Sequence, residues 1–210
     1  MSARIVILTK APAPGRVKTR LATTIGPRAA AQVHEEMVLE TIRLAKETEL
    51  DLTVSLASDD DGSFAKKISA LGAAVEPQSS GDLGARLTHA MRRPGLTIAL
   101  GTDCVVFDPH WLIGLERSEA DVTIGPSDDG GYWTIALDGS NLDLAATVFS
   151  DMPWSKPTLF AATNQRLESE GLSVRTLPGA YDVDDISDLH RLLQDARCPE
   201  SLRKRVGPLL

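Results

Sequence analysis

The sequence predicts an α/β fold on a mostly parallel, mixed central sheet with helices on both faces, and three observations predict it. Short apolar runs alternate with segments of helical periodicity almost to the end of the chain. Several of those runs are apolar throughout rather than at every second residue, the pattern of strands buried on both faces. The 210 residues, 42% apolar and 24% charged, suit one sizeable core, so a single domain over 1–210 is expected.

Residues 5–8 form a β-branched apolar run and read as the first strand. Residues 11–15, with two prolines and a glycine, follow as a loop. Pro27 suits a first helical turn, and Val33, Met37, Val38, Ile42 and Ala45 recur at helical spacing, which predicts a helix over 27–49. Residues 52–57 read as a strand, 64–71 as a helix, 73–76 as a short strand and 83–92 as a helix. Residues 96–100 are another buried strand, ending in the polar triplet Gly101-Thr102-Asp103. A helix is expected over 109–115, strands over 122–125 and 132–137, and a helix over 156–170 stopped by Gly171. A late strand over 173–177 and helices over 186–196 and 202–206 close the chain.

Strands and helices in alternation imply right-handed crossovers, and ligands of such sheets bind beyond the carboxyl ends of the strands. The polar segments 10–20, 101–103 and 127–131 are therefore expected to converge on one rim.

The chain carries 22 Lys+Arg against 29 Asp+Glu, a net charge of −7, which argues against broad nucleic-acid binding. The charge is uneven: residues 1–34 hold Arg4, Lys10, Arg16, Lys18, Arg20 and Arg28 and no acid, which makes a local anion site plausible. The first apolar run is too short for a signal-peptide core or a membrane span, so a cytoplasmic protein without membrane partners is expected. Cys104 and Cys198 are far apart and show no metal-ligand spacing, in keeping with a reducing compartment. Neither a zinc-type His or Cys pair nor a Gly-x-Ser-x-Gly elbow occurs.

The segment Lys10-Ala-Pro-Ala-Pro-Gly-Arg-Val-Lys-Thr-Arg20 puts four cations between a strand and a helix. It reads as a phosphate grip, with Gly15 allowing close backbone approach and Pro12 and Pro14 limiting the loop's freedom; the alternative is a solvated basic loop. The Walker and dinucleotide glycine patterns are both absent, which argues against kinase-type NTPases and NAD dehydrogenases. Asp103, displayed at a strand end, suits a divalent cation bridging a diphosphate, and equally a turn that caps the next helix. Asp182-Val-Asp184-Asp185 is a second carboxylate cluster, with Asp184 or Asp185 also able to cap the helix near Ile186. Like charges ~4 Å apart repel by about 4 kcal/mol at an effective dielectric of 20, so Asp103 can join that cluster only with a cation between them.

Gly81-Asp82-Leu83-Gly84-Ala85-Arg86 suits either a sugar or base edge at a helix start or an ordinary capped helix. Ser127-Asp128-Asp129-Gly130-Gly131-Tyr132-Trp133 reads as a plain hairpin or as the rim of a hydroxylated acceptor, with Trp154 either a second aromatic wall or a buried core residue.

These motifs, Lys10-Ala-Pro-x-Pro-Gly-x-Val-Lys-Thr-Arg-Leu21, Gly81-Asp-Leu-Gly-x-Arg86, Gly101-Thr-Asp103, Gly125-Pro-x-x-Asp-Gly-Gly-Tyr132 and Asp182-Val-Asp184, occur in the order seen in a bacterial family. The chain resembles the radical-SAM/selenodomain-associated transferases, which are glycosyltransferase-like with the nucleotide-diphospho-sugar transferase (GT-A, Rossmann-like) fold. It is similar, more distantly, to phospholactate and molybdenum-cofactor guanylyltransferases. The family usually has Pro where Val105 stands, and Thr-Pro-Glu-Asp where this chain has Asp185-Ile-Ser-Asp188.

The resemblance implies a nucleotide cradle from Lys10, Gly15, Lys18 and Arg20, and Mg²⁺ or Mn²⁺ held by Asp103 with Asp182 or Asp184. The wider expected cradle includes Ala11, Pro12, Thr19, Gly81, Asp82, Gly84, Arg86 and Thr102, and the acceptor side Asp128, Asp129, Gly130, Gly131, Tyr132 and Trp154. Lys18 and Asp103 are the expected catalytic pair, with Asp129 as the acceptor-side base. The leading expectation is a metal-dependent glycosyltransferase taking a nucleoside diphosphate-sugar and a small-molecule acceptor. Its rivals are a nucleotidyltransferase joining an NTP to a phosphorylated acceptor, and a non-catalytic nucleotide-binding module.

Overall fold

The first strand, β1 (Ala3–Thr9), sends Ile5 and Ile7 to one side and Val6 to the other, all three buried, and so demands cover on both faces. In the computed structural model, which describes residues 3–57 and 62–210, that cover is two layers of helix around a seven-stranded mixed sheet. The elements run β1, α1 (Thr19–Ile25), α2 (Pro27–Lys46), β2 (Asp51–Leu56), α3 (Ser63–Ala70), β3 (Ala74–Pro77), α4 (Leu83–Met91) and β4 (Leu96–Leu100). They continue with β5 (Val122–Pro126), β6 (Tyr132–Asp138), α5 (Leu142–Phe149), α6 (Leu159–Ser169), β7 (Val174–Thr176), α7 (Ile186–Gln194) and α8 (Glu200–Val206).

Strand order is β3-β2-β1-β4-β6-β5-β7. Only β6 runs against its neighbours, pairing antiparallel with β4 and with β5, so β1, β4 and β5 end on the same rim where β6 begins. One core half joins Ile5, Ile7 and Trp133 to Val33, Met37, Leu189 and Leu202; the other joins Val6, Ile135 and Leu137 to Leu87, Val148 and Leu167.

All seven expected strands form, and two helices form that the periodicity did not announce. Helix α1 is seven residues long and buries only Leu21 fully, and α5 is eight residues long, so neither repeats an apolar stripe often enough to be read. The helix expected over 109–115 is instead two short 3-10 turns, Pro109–Leu112 and Leu115–Arg117. Between them Ile113 is extended and Gly114 adopts φ +78°, which interrupts any continuous helix.

Candidate functional site

After Thr9 the chain turns, with Arg16 N donating to Ala13 O at 3.0 Å, and reaches Lys18 with φ at +44°. A left-handed conformation at a residue with a Cβ costs on the order of 1 kcal/mol or more. Here it aims the Lys18 side chain inward, where only 4% of it is exposed. The ammonium donates to the Asp103 carboxylate and to Val183 O at 2.6 Å, and lies 3.6 Å from Asp184.

Asp103 stands just beyond β4, and its carbonyl accepts from Val183 N at 2.9 Å, which draws the late acidic segment onto the rim. Asp185 caps α7, and Asp188 closes the capping box by accepting from the Asp185 amide, so the capping reading of this cluster holds for Asp185. Arg20 pairs with Asp185 at 2.7 Å and approaches Asp184 at 3.6 Å.

A cavity of about 600 Å³ opens beside this junction, lined among others by Lys10, Arg16, Lys18, Arg20, Thr102 and Asp103, with Thr19 and Asp184 also on its wall. The segments 10–20 and 101–103 thus meet, as expected from the sheet rule. Burial pushes the Asp103 carboxyl up, but the charge and hydrogen bond of Lys18, with His34 behind them, hold it below the usual carboxylate range. Burial pushes the Asp182 carboxyl up to about 7, with Asp129, Asp103 and Asp184 adding to the rise against a hydrogen bond from Ser127.

Other expected residues have structural duties. Ala11, Pro12 and Gly15 belong to the turn without lining the cavity, and Gly15 supplies φ +78°. Asp82 caps α4 by accepting from Ala85 N at 2.8 Å, and Arg86 donates to Gly81 O at 2.8 Å and to Gln78 at 3.0 Å. A Cβ on Gly84 would fall 2.4 Å from Phe149 O and 3.0 Å from Trp154 Nε1, so this glycine lets α4 pack against the α5 end and Trp154. None of Gly81, Asp82, Gly84 and Arg86 lines the cationic cavity.

The segment 127–131 closes the β5–β6 hairpin, with Ser127 N donating to Gly131 O at 3.1 Å. Asp129, the expected acceptor-side base, accepts from the Ser127 hydroxyl and from Gly131 N at 2.8 Å, which gives it a turn-forming duty. Asp128 pairs with Arg191 at 2.9 Å, and that guanidinium lies over the Tyr181 ring, 3.7 Å from its centroid. Gly130 packs against Pro157. Tyr132 and Trp154, of the expected acceptor set, line a second pocket that adjoins the first.

The wall also holds residues outside the expected site set: Leu8, Thr9, Val17, His34 and Ser155, and Arg16, which the sequence placed only among the clustered cations. His34 accepts no role from spacing to another His, yet it follows Val33 on the inward face of α2, and that was the available signal. Its Nε2 lies 3.0 Å from Lys10 O; burial holds the imidazole below its ordinary value, so at neutral pH it is uncharged and donates to that carbonyl.

The donors here suit a hard divalent cation. Asp103 and Asp184 are each about half exposed, 48% and 43%; both face the Lys18 ammonium, whose partners are all oxygens, and Asp184 also lies 3.6 Å from Arg20. Mg²⁺ and Mn²⁺ take one or two carboxylates and complete their shell with phosphate oxygens and water. Among the described residues no three His, Cys, Asp or Glu side chains gather into a self-sufficient metal cage. Of the two later carboxylates, Asp184 lines the cavity together with Asp103, and Asp182 does not.

The mixed seven-stranded sheet, its helical layers and the cationic cavity beyond the ends of β1 and β4 define the class: this is the nucleotide-diphospho-sugar transferase and nucleotidyltransferase fold. The chain belongs to the DUF2064 family, described as uncharacterized proteins conserved in bacteria, whose model matches residues 40–156. It is similar to a protein of Desulfovibrio desulfuricans G20 designated a nucleotide-diphospho-sugar transferase, at 25% identity, TM-score 0.83, and coverage of 100% of this chain and 97% of that one. The inositol-1-phosphate CTP transferase of T. maritima matches at 12% identity and TM-score 0.61, covering 100% and 97%. Rv0371C of Mycobacterium tuberculosis H37Rv, crystallised with manganese, matches at 18% identity and TM-score 0.55, covering 93% and 100%. No curated protein matches the sequence. Among the described residues no helix is long and apolar enough to cross a membrane.

Proposed function

We propose that the protein is a metal-dependent cytoplasmic transferase that binds a nucleoside diphosphate-sugar in the cationic cavity and delivers the sugar to a small-molecule acceptor. The observation that carries this reading is the junction of Lys18 with Asp103 and Asp184 at the mouth of a cavity walled by Lys10, Arg16 and Arg20. Asp103 and Asp184 would hold Mg²⁺ or Mn²⁺, which when bound supplies positive charge to the diphosphate oxygens. Lys18, Lys10 and Arg20 bind the same oxygens and stabilise the charge that grows there as the sugar–phosphate bond breaks. An acceptor oxygen forms the new bond to the anomeric carbon, its proton passes to solvent or a buffer base, and nucleoside diphosphate leaves. His34 fixes the Lys10 backbone and so orients the loop.

A second reading keeps the cavity and changes the bond broken: an acceptor phosphate oxygen attacks the α-phosphorus of an NTP and pyrophosphate leaves. It draws support from the full-length likeness to the T. maritima CTP transferase. Product analysis with Mn²⁺ separates the two, since release of nucleoside diphosphate from nucleotide-sugars supports sugar transfer. Turnover of NTPs to pyrophosphate, with every nucleotide-sugar untouched, transfers the case to the second reading. Nucleotide binding that survives Asp103→Ala, with no turnover under any metal, describes a sensing module instead.

A further inference from the structure

Beside the cationic cavity lies a pocket of about 230 Å³ with the opposite character. Leu8, Leu83, Leu87, Tyr132, Trp154 and Leu159 make much of its wall, beside the hydroxyl-bearing Thr102 and Thr134, and among the described residues Asp103 is the one titratable acid or base on its surface besides the Tyr132 phenol. The Tyr132 and Trp154 rings meet edge to face, with centroids 6.5 Å apart, which gives one wall a fixed aromatic corner. Leu83 is 40% exposed although it is large and apolar, and it sits on this pocket. Leu8, Thr102 and Asp103 line both cavities, so a molecule seated here has its polar end at the diphosphate junction.

The fold explains how two such unlike pockets share a wall. Asp103 and Thr102 follow β4, whose Leu100 faces one core half and Ala99 the other, and the antiparallel start of β6 brings Tyr132 alongside them. Ala99 is small, and it leaves room on the pocket floor that a larger side chain at that position would fill.

Resting on the transferase reading above, we propose that this pocket is the acceptor site and that it selects an acceptor with an apolar, uncharged body, aromatic or branched aliphatic, tethered to one reactive polar group. A sugar or polyol body finds few partners here: Thr102 and Asp103 offer polar atoms at the end shared with the cationic cavity and the Thr134 hydroxyl already donates to Ala99 O, so hydroxyls set against the leucines and rings lose water without regaining hydrogen bonds, a cost of roughly 1–3 kcal/mol for each unsatisfied group. An apolar body gains about 25 cal/mol for each Å² it buries. The cationic cavity takes the phosphates of the donor, and the pocket takes the part of the acceptor that never reacts.

The test measures binding and turnover separately. Indole, p-cresol and cyclohexanol are titrated against the intact protein by ligand-observed NMR, with glycerol and glucose as polar controls, in the presence of a saturating nucleotide and Mn²⁺. The three apolar probes are expected to bind and the two polar ones to remain free. Leu83→Asn, on a partly exposed residue that tolerates polarity, is expected to weaken the apolar probes at least fivefold while leaving the nucleotide's thermal shift unchanged. Ala99→Leu, which fills the floor, should block them altogether, and circular dichroism reports whether that variant is folded. Equal binding of glycerol and p-cresol, or apolar binding untouched by Leu83→Asn, overturns the proposal. A nucleotide shift with no apolar probe bound sinks the acceptor assignment alone, whereas the loss of every nucleotide and pyrophosphate signal sinks the transferase reading beneath it.

Discussion

Lys18 and Asp103, eighty-five positions apart in sequence, form an ion pair at the mouth of the cationic cavity, the ammonium buried and the carboxylate half exposed, and Asp184 reaches the same ammonium at 3.6 Å. A lysine thus occupies the position between carboxylates that charge repulsion requires some cation to fill. Replacing it with Met keeps the length and removes the charge. Pyrophosphate binding should then weaken at least tenfold, and turnover should fall by about 10² to 10³, the usual cost of one lost donor to developing charge. Mn²⁺ should raise the melting temperature of Lys18→Met more than that of the wild type, because the carboxylates lose their internal counter-ion. Isothermal titration with pyrophosphate and thermal melts with Mn²⁺ check both; unaltered pyrophosphate affinity would remove Lys18 from the phosphate site.

Asp103→Asn preserves shape and the backbone bond from Val183 N to Asp103 O, so the late acidic segment should stay on the rim and the protein should stay folded. The Mn²⁺-dependent part of the nucleotide thermal shift should disappear, and activity should fall by two orders of magnitude or more. A variant with full Mn²⁺ response would relocate the metal to carboxylates other than Asp103.

The strands were legible because a run such as Ile5–Ile7, buried on both faces, needs no partner information to be recognised. Helix α2 was legible from its period, with Val33, Met37, Val38, Ile42 and Ala45 recurring on one face of a twenty-residue helix. Sheet order was not: the hairpin reading of 127–131 offers an antiparallel β5–β6 pair, but nothing local to residues 132–138 says that this strand inserts between β4 and β5. Short helices such as α5 bury their side chains through tertiary packing, which one or two turns of sequence cannot display.

Gly130 is required by geometry rather than by chemistry. Its φ is +87°, and an added Cβ would lie 2.0 Å from Pro157 O and 2.6 Å from Pro157 C, both backbone atoms. Gly130→Ala should cost more than about 2 kcal/mol, because it adds an unrelievable clash to the left-handed strain. Gly171→Ala is the control: φ there is +67° with open space around the position, so only the strain of about 1 kcal/mol is expected. Urea denaturation of the two variants reads the difference directly, and equal losses would show that the hairpin yields at Pro157.

The candidate site was half legible. The run from Lys10 to Arg20 and the strand-end Asp103 could be paired from the sheet rule alone, and the structure joins Lys18 to Asp103. Residues 127–131 read two ways because Asp-Asp-Gly-Gly serves a tight turn as readily as a ligand, and the structure shows the turn, with Asp129 accepting from Ser127 and Gly131. His34 went unremarked because its partner is the Lys10 carbonyl, and a side-chain search for metal spacing does not look for backbone partners.

Both thiols should be silent. Cys104 is 1% exposed, and burial pushes its pKa up to about 12; Cys198 is 4% exposed and is raised by burial as well. At pH 8 the thiolate fraction is therefore negligible, and an aromatic disulfide reagent should release no chromophore from the native protein and two equivalents after denaturation. One fast equivalent in the native state would mean that the segment following Asp103 opens readily.

His34 gives the site a pH dependence whose sign follows from its environment. The imidazole faces Lys10, Lys18 and Asp103; burial is the largest influence on it, and its pKa in the folded protein lies below the ordinary value of about 6.5. Between those two values the unfolded chain binds a proton that the folded one refuses, so stability rises with pH across the window. Above about 6.5 both states are neutral and the contribution is fully present; as pH falls from there towards the folded value, it is progressively lost. His34→Gln retains an amide that can donate to Lys10 O but cannot titrate. It should flatten the stability profile between pH 6.5 and the acid limit while leaving neutral-pH pyrophosphate binding within about threefold of wild type. Chemical denaturation at several pH values tests this; an unchanged slope in the variant would assign the acid sensitivity to the carboxylates around Lys18 instead.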